Sequence, residues 1–374
     1  MRSDPARIGD AVAAIDTPAL VIDLDAFERN LQRMADFARE RGMRLRPHAK
    51  MHKCAAVALR QIALGAVGVC VQKTGEAEAM AAGGVRDVYV SNQVVAPHKL
   101  ARLARLARDV KLAIAVDSIV GVERLAQAVR EAGSTVDVFI EVDVGQGRCG
   151  VAPAQAGALA RQVVAHAGLR FAGLQAYHGS AQHFRGVSER EAAIRHAVDV
   201  VVAARAAITG SGIACPLVTG AGSGSFRFEA TSGVYGELQP GSYAFGDADY
   251  ARNEADPHAP RFEQALFVKA QVMSASLGHV VVDAGHKSHA IESGLPTLWQ
   301  REDLLCSGAN DEHAVVKPRA AGAPLPALGD TLWLVPGHCD PTVNLHDHLV
   351  GVRGGLEAGR VESVWRVDAR GAVD

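Results

Sequence analysis

Short β-rich runs alternate with longer amphipathic stretches through the first two thirds of the chain, and this alternation restricts the folds open to it. Eight such runs are "LRPHAK" from Leu45, "GVCVQK" from Gly68, "DVYVSN" from Asp87, "LAIAVD" from Leu112, "VDVFIEVD" from Val136, "FAGLQAYHG" from Phe171, "PLVTGAG" from Pro216 and "ELQPGSYAF" from Glu237. Helical stretches such as "KLARLARLAR" and "ERLAQAVREAG" separate most of them. Eight strand–helix units predict an α/β fold, a closed parallel (β/α)8 barrel; a doubly wound open sheet would give the same alternation.

Beyond about Tyr250 the pattern changes to strands divided by turn residues, as in "ALFVKAQVMSAS", "HVVVDAG", "DTLWLVPGH", "HLVGVRG" and "VESVWRVDARG". These predict a second, mainly antiparallel β domain. An early run, "TPALVIDL" (Thr17 to Leu24), is left over from the count of eight and is assigned to that β domain. It is followed by Phe27, Leu31, Met34 and Phe37 at helical spacing. The expected division is a barrel over 26–250 and a β domain made of 1–25 and 251–374. With 374 residues there is room for both.

A net charge of −2 and 48% hydrophobic residues describe a globular chain without the basic excess of a nucleic-acid binder. No apolar run reaches the roughly 20 residues of a membrane helix, and the N-terminus lacks a signal-peptide core. A cytoplasmic protein that contacts neither nucleic acid nor membrane is expected. The six cysteines are scattered without a CxxC pair, as for thiols kept reduced.

In a parallel barrel, chemistry gathers at the C-terminal ends of the strands. Lys50 ends the first barrel run, between His48 and His52; Arg148 follows the fifth; Tyr177 and His178 end the sixth; Gln239 and "PGSY" mark the eighth. Each alone is ordinary: a lysine is usually a solvated charge and a glycine run usually a turn. Together they converge on one rim. "TGAGSGS" (Thr219 to Ser225), after the seventh run, has glycines that let backbone N–H groups approach an anion and serines that add donors, where barrels often bind phosphate. It is neither a Walker loop nor a dinucleotide fingerprint. A phosphate cradle facing an amine capable of Schiff-base chemistry suits pyridoxal 5′-phosphate (PLP).

The segments "RPHAKMHK", "GVCVQK", "EVDVGQGRCGV", "LQAYHGS", "SGVYGELQPGSYAF", "VVDAGHKS", "NDEHAVV" and "VPGHCDPTVNLHD" together resemble the D-threonine aldolases, relatives of the D-3-hydroxyaspartate aldolases and the eukaryotic-type D-serine dehydratases. The resemblance runs from about Thr17 to Gly371. It implies the alanine racemase-like fold of type III PLP enzymes, with Lys50 as the lysine that carries PLP. It further implies Arg148 near the cofactor's phenolic oxygen, Tyr177 beside the ring, and phosphate contacts from Thr219, Gly220, Gly222, Ser223 and Gly224 with Gly241, Ser242 and Tyr243. Ala221 and Ser223 stand where relatives commonly have a glycine and a threonine. Gln239 stands where alanine racemases have an arginine opposite the pyridine nitrogen, so a neutral amide would face the ring and leave it a weaker electron sink. His48 and His52 alternate with Lys50 and would share its face of an extended segment, so one or both are candidates to relay protons or bind metal-held water, and His52 is the one taken as a catalytic helper.

A weaker electron sink calls for a second electrophile. In a strand, His338 and Asp340 would present an imidazole and a carboxylate to one ion while Cys339 points away. His346 and His348 have the same spacing. The resemblance selects His338 and Asp340, and manganese, with Mg²⁺ or Zn²⁺ compatible with mixed N/O ligation. D-serine dehydratases carry His-x-Cys at this point, so Asp340 argues for an aldolase. The implied reaction is a metal-assisted retro-aldol cleavage of D-threonine and other D-β-hydroxy-α-amino acids to glycine and an aldehyde, by a homodimer. The alternatives are D-3-hydroxyaspartate aldolase, D-serine dehydratase, or a non-enzymatic PLP carrier, a class that lacks the β domain. A dehydrogenase would require a dinucleotide fingerprint that is absent from the sequence.

Overall fold

The computed structural model describes residues 4–374, so residues 1–3 of the expected β-domain segment lie outside it. Strand β1 (Ala19–Asp23) is followed by the helix Leu24–Glu40. That helix starts where Asp23 accepts the backbone N–H groups of Asp25 and Ala26, and it buries Phe27, Leu31, Met34 and Phe37 along one face. Eight strands then follow: β2 (Arg44–Leu45), β3 (Val69–Val71), β4 (Asp87–Gln93), β5 (Lys111–Val116), β6 (Val136–Glu141), β7 (Leu169–Ala176), β8 (Val218–Gly220) and β9 (Glu237–Leu238). All neighbours in this sheet are parallel, in the order β2-β9-β8-β7-β6-β5-β4-β3. A parallel bridge from His48 to Cys70 joins its two ends, so the sheet curls round on itself. The eight runs of the sequence pattern are these eight strands.

Inside the curl, Cys70, Tyr89, Ala113, Ala115 and Phe139 form a small apolar cluster. Beside it Glu237 accepts from Arg46 Nε at 3.1 Å and from Thr219 Oγ1 at 2.9 Å, while Arg46 also pairs with Asp87 at 2.6 Å. These buried charges are paired and hydrogen-bonded, which makes their burial tolerable.

The second sheet has nine strands. β10 (Leu266–Ala275), β11 (Val280–Val282), β12 (Thr297–Leu298), β13 (Leu304–Ala309), β14 (Ala314–Pro318), β15 (Thr331–Val335), β16 (His348–Arg353) and β17 (Arg360–Arg366) join β1, which pairs antiparallel with β10 and parallel with β16. The early run thus belongs to this sheet. Three of its strands, β12, β13 and β14, were not foreseen; β12 has two residues, too few for a period-2 signal. Among the described residues no helix is long and apolar enough to cross a membrane, and the six cysteines are all free thiols.

One apolar cluster decides how the two sheets meet. It contains Phe27, Leu31 and Met34 of the first helix, Met51 and Cys54, Leu266 and Val268 of β10, and Cys339 and Val343. Met51 and Cys339 are each fully buried. Their sequence neighbours Lys50 and Asp340 are thereby carried to the same place.

Candidate active site

Past β2 the chain does not continue as a strand. The N–H groups of His52 and Lys53 both return to the carbonyl of Ala49, at 3.2 and 2.7 Å, so residues 49–53 form a turn. The expected alternation therefore fails: His48 and Lys50 face a cleft, but His52 does not line it. His52 is buried, its Nδ1 accepts the N–H of Cys54 at 3.1 Å, and burial holds its pKa down to about 4. The expected proton relay at His52 is not brought to the cleft. His48 is, with Nε2 at 2.9 Å from Gln72 Nε2 and 3.2 Å from Ser91 Oγ, and burial together with Lys50 holds it well below the usual histidine range.

The cleft has a cavity volume of about 90 Å³ and is lined by Lys50, Arg148, Tyr177, Gly222, Ser223, Gln239, Gly241, Ser242, His338 and Asp340 among the expected residues. Arg148 stacks over the Tyr177 ring at 5.8 Å. Lys50 Nζ lies 3.8 Å from Asp340 Oδ2. Burial works against the ammonium charge, but Asp340, with a smaller contribution from Tyr177, outweighs it and raises the lysine above its ordinary range.

At one end stands a cradle of two loops. Ala221 adopts φ +75°, a conformation that usually selects glycine, and with Gly222 and Ser223 it faces the cleft. Gly241 and Ser242 face it from the loop after β9, and the Tyr243 N–H donates to Ser223 Oγ at 2.9 Å, tying the loops together. Four expected phosphate residues stand back from the cleft. Thr219 donates to Glu237, Gly220 packs where a Cβ would meet the Ala176 carbonyl at 2.2 Å, the Gly224 N–H donates to Gln182 Oε1 at 2.8 Å, and the Tyr243 hydroxyl accepts from Gln61 Nε2 at 3.1 Å. They support the cradle instead of lining it.

Gln239 lies at the floor. Because Glu237 can only accept, Thr219 donates to it and must accept from Gln239 Nε2, at 2.7 Å; the second Nε2 hydrogen goes to Gln175 Oε1 at 2.9 Å. The Gln239 amide is fixed by these neighbours, and a ring nitrogen would have to take one of its hydrogens from them.

At the other end, His338 and Asp340 come from the second sheet. The strand expected there is absent: the chain leaves β15 and enters a short helix, Cys339–Val343, with His338 at its N-cap. The two side chains still converge, with His338 Nε2 3.5 Å from Asp340 Oδ1, because Asp247 accepts the N–H of Cys339 at 3.0 Å and Cys339 is buried. His338 Nδ1 lies 2.8 Å from Glu292 Oε1, an arrangement that leaves Nε2 free to bind an ion. Burial opposes charge on His338, but Asp340 prevails and pushes it up to about 9. Burial likewise opposes ionisation of Asp340, and His338 and Lys50 outweigh it, holding the carboxyl well below its usual range. Among the described residues no cluster of three or more His, Cys, Asp or Glu is arranged to hold a metal. His346 donates to the Ser288 carbonyl at 2.8 Å and His348 lies 3.5 Å from Asp4; neither lines the cleft.

Sequence reasoning missed Gln72, Ser91, Gln175, His183 and Tyr250, all of which line the cleft. Gln72, Ser91 and Gln175 stand at or near strand ends, a position that could have flagged them. His183, with Nδ1 2.5 Å from Asp249 Oδ2, sits on a single 3-10 turn that leaves no periodic signal.

Two family models match in succession: "Alanine racemase, N-terminal domain" over residues 22–249 and "Putative serine dehydratase domain" over residues 265–352. The chain is 50% identical to a D-threonine aldolase of Arthrobacter sp over 370 residues, covering 98% of this chain and 96% of that protein. It is 44% identical to a 3-hydroxy-D-aspartate aldolase of Paracoccus denitrificans (strain Pd 1222), covering 98% and 95%. The crystal structure of D-threonine aldolase from Filomicrobium marinum superposes with a TM-score of 0.96 at 50% identity, covering 99% of this chain and all of that one. With a rim that presents a lysine, a glycine–serine cradle and a His/Asp pair in one cleft, and with likeness along nearly its whole length, the chain belongs to the D-threonine aldolase family of carbon–carbon lyases, built on the alanine racemase fold.

Proposed function

We propose that this protein cleaves D-threonine and related D-β-hydroxy-α-amino acids to glycine and an aldehyde, using PLP on Lys50 and a divalent cation, Mn²⁺ foremost, at His338 and Asp340. The observation that carries the reading is the 3.8 Å approach of Lys50 Nζ to Asp340 Oδ2 across one cleft, which joins an amine of the barrel rim to a carboxylate of the second sheet. The residues fit both groups. The cradle of Ala221, Gly222, Ser223, Gly241 and Ser242 suits a phosphate, and His338 with its Glu292 partner suits a cation. We assign the cofactor work to 26–250 and the metal ligands to the β domain of 1–25 and 251–374, in a cytoplasmic homodimer.

PLP, when bound, supplies an electron sink for the carbon–carbon bond that breaks. The cation would act as a Lewis acid on the β-oxygen. The chain's own residues do the rest. Lys50 would hold the cofactor in the cleft that Tyr177 and Arg148, stacked on one another, also line. Asp340, kept ionised, and His338, oriented by Glu292, would hold the cation and so set where the β-oxygen would lie. His48, kept neutral by burial, faces the cleft as a proton acceptor in place of His52. Gln239, neutral and fixed by Thr219 and Gln175, supplies no positive charge at the floor. The test is product analysis of the purified protein with D-threonine, D-serine and D-3-hydroxyaspartate, with PLP and a series of metals. Glycine with acetaldehyde from D-threonine is expected; pyruvate from D-serine as the main product would replace the aldolase reading with a dehydratase.

A further inference from the structure

The glycines of "TGAGSGS" do not all serve the anion. A Cβ built on Gly222 would stand 2.4 Å from Gln182 Oε1, and one on Gly224 would stand 2.8 Å from the Gln182 carbonyl oxygen. Neither glycine has a positive φ, so backbone strain does not demand glycine at either position. What demands it is the space occupied by Gln182.

Gln182 lies on the turn Ser180–His183, is fully buried, and does not itself line the cleft. Its Oε1 accepts the Gly224 N–H at 2.8 Å. Its Nε2 donates to Ser225 Oγ at 2.7 Å and to the His178 carbonyl at 3.1 Å. Ser225 Oγ in turn donates to Glu229 Oε1 at 2.7 Å. Two of the three hydrogen bonds that the amide makes, those with Gly224 and Ser225, thus join the loop after β7 to the loop after β8, and the third, to the His178 carbonyl, braces the side chain within its own loop. One side of the glycine loop is held back by Gln182, and Ala221, Gly222 and Ser223 are left facing the cleft.

We infer that Gln182, acting through Ser225, is a positioning residue for the phosphate cradle, and that Gly222 is glycine to admit its side chain while Gly224 is glycine to admit its backbone. The inference rests on the PLP reading given above. A side chain that shapes only the cradle acts on the cofactor's phosphate and leaves the attachment at Lys50 intact. Its removal should therefore weaken PLP much more than pyridoxal, which has the same aldehyde and ring without the phosphate.

The test is titration of cofactor-stripped protein with PLP and with pyridoxal, read from the visible band formed at Lys50, with folding checked by circular dichroism. Gln182→Met, which keeps the volume and removes the hydrogen bonds, should raise the PLP dissociation constant about tenfold, the size of one or two lost hydrogen bonds. Ser225→Ala should raise it about threefold. Pyridoxal affinity should stay within about twofold for both. Gly222→Ala should damage PLP binding in the wild-type background and do little further harm when combined with Gln182→Ala, because the clash has gone. If Gln182→Met does not fold, Ser225→Ala and the Gly222 pair decide the matter. Equal weakening of PLP and pyridoxal, or unchanged PLP binding in folded variants, would overturn the role of Gln182. A wild-type protein that forms no band at Lys50 would overturn the PLP reading itself, a result that no behaviour of the variants can imitate.

Discussion

The two ends of the cleft are built by opposite means. At the cradle end, Ala221, Gly222, Ser223, Gly241 and Ser242 are neutral, and they are held by hydrogen bonds such as Tyr243 N–H to Ser223 Oγ. At the other end, His338 and Asp340 are charged, and Asp340 also faces Lys50 between the two ends; Asp340 raises both His338 and Lys50 and is itself held down by both. A neutral, hydrogen-bonded cradle recognises shape and phosphate oxygens. A charged triad in a partly dry site responds to whatever ion enters. The ends also arise from different sheets, so each can be disabled with the other left standing.

The largest expected effect comes from the residue between the two ends. Lys50→Ala should abolish the visible PLP band and lower D-threonine cleavage on the order of a thousandfold or more. Borohydride reduction of the wild type should label the peptide containing Lys50. Labelling at Lys53 would sink the assignment, and Lys53 is already engaged, with Nζ 2.7 Å from Glu76 and within hydrogen-bonding reach of the Ala369 and Ala372 carbonyls.

Next comes the metal end. Asp340→Ala should cost about a hundredfold or more in cleavage while leaving the band at Lys50. His346→Ala, at the rival pair, should cost stability of about 1 kcal/mol through its lost bond to the Ser288 carbonyl and leave the rate within about threefold. A reversal of these two outcomes, measured by kinetics and by metal content, would move the metal site.

A smaller effect is expected at the floor. Gln239→Arg puts a positive donor where the amide is now fixed by Thr219 and Gln175. Racemisation or transamination should rise several-fold relative to cleavage, because a charged donor makes the ring a stronger electron sink. A folded, PLP-loaded variant with an unchanged product ratio would remove Gln239 from the ring's surroundings.

The last effect falls on stability and not on rate, behind the cradle. Glu229 is fully buried, and burial raises its pKa from 4.5 to about 7. A carboxyl raised in the folded state contributes stability that is complete below pH 4.5 and is lost as pH rises through about 7. Glu229→Gln should therefore flatten the fall in stability between those pH values, by an amount up to about 3 kcal/mol, as read from urea unfolding at both limits. Parallel curves for wild type and variant would show that Glu229 ionises freely in the fold.

The barrel was legible because its strands are short, apolar and spaced by amphipathic helices, and because β1 was one strand too many for it. Convergence on one rim was legible too, since Lys50, Arg148, Tyr177 and the glycine loop all follow barrel strands. Side-chain direction was not. His52 was expected beside Lys50 from the period of a strand, and a turn at 49–53 defeats that period. His338 and Asp340 were paired through the same period, and they converge for a different reason, the burial of Cys339 at the start of a helix. Gln182 left no trace in the sequence. Its effect is visible only as glycines at 222 and 224, which read as an anion loop until the space they clear is seen to be filled by its side chain and its backbone respectively.

The most direct test of separate anchors in one cleft is chelation of the PLP-loaded protein. With His338 and Asp340 as the only proposed protein ligands, a chelator should remove the ion without unfolding the barrel. The account expects D-threonine cleavage to fall to background while the visible band at Lys50 remains, and added Mn²⁺ to restore the rate. Cleavage at full rate in the chelated protein, or loss of the band together with the metal, would contradict it.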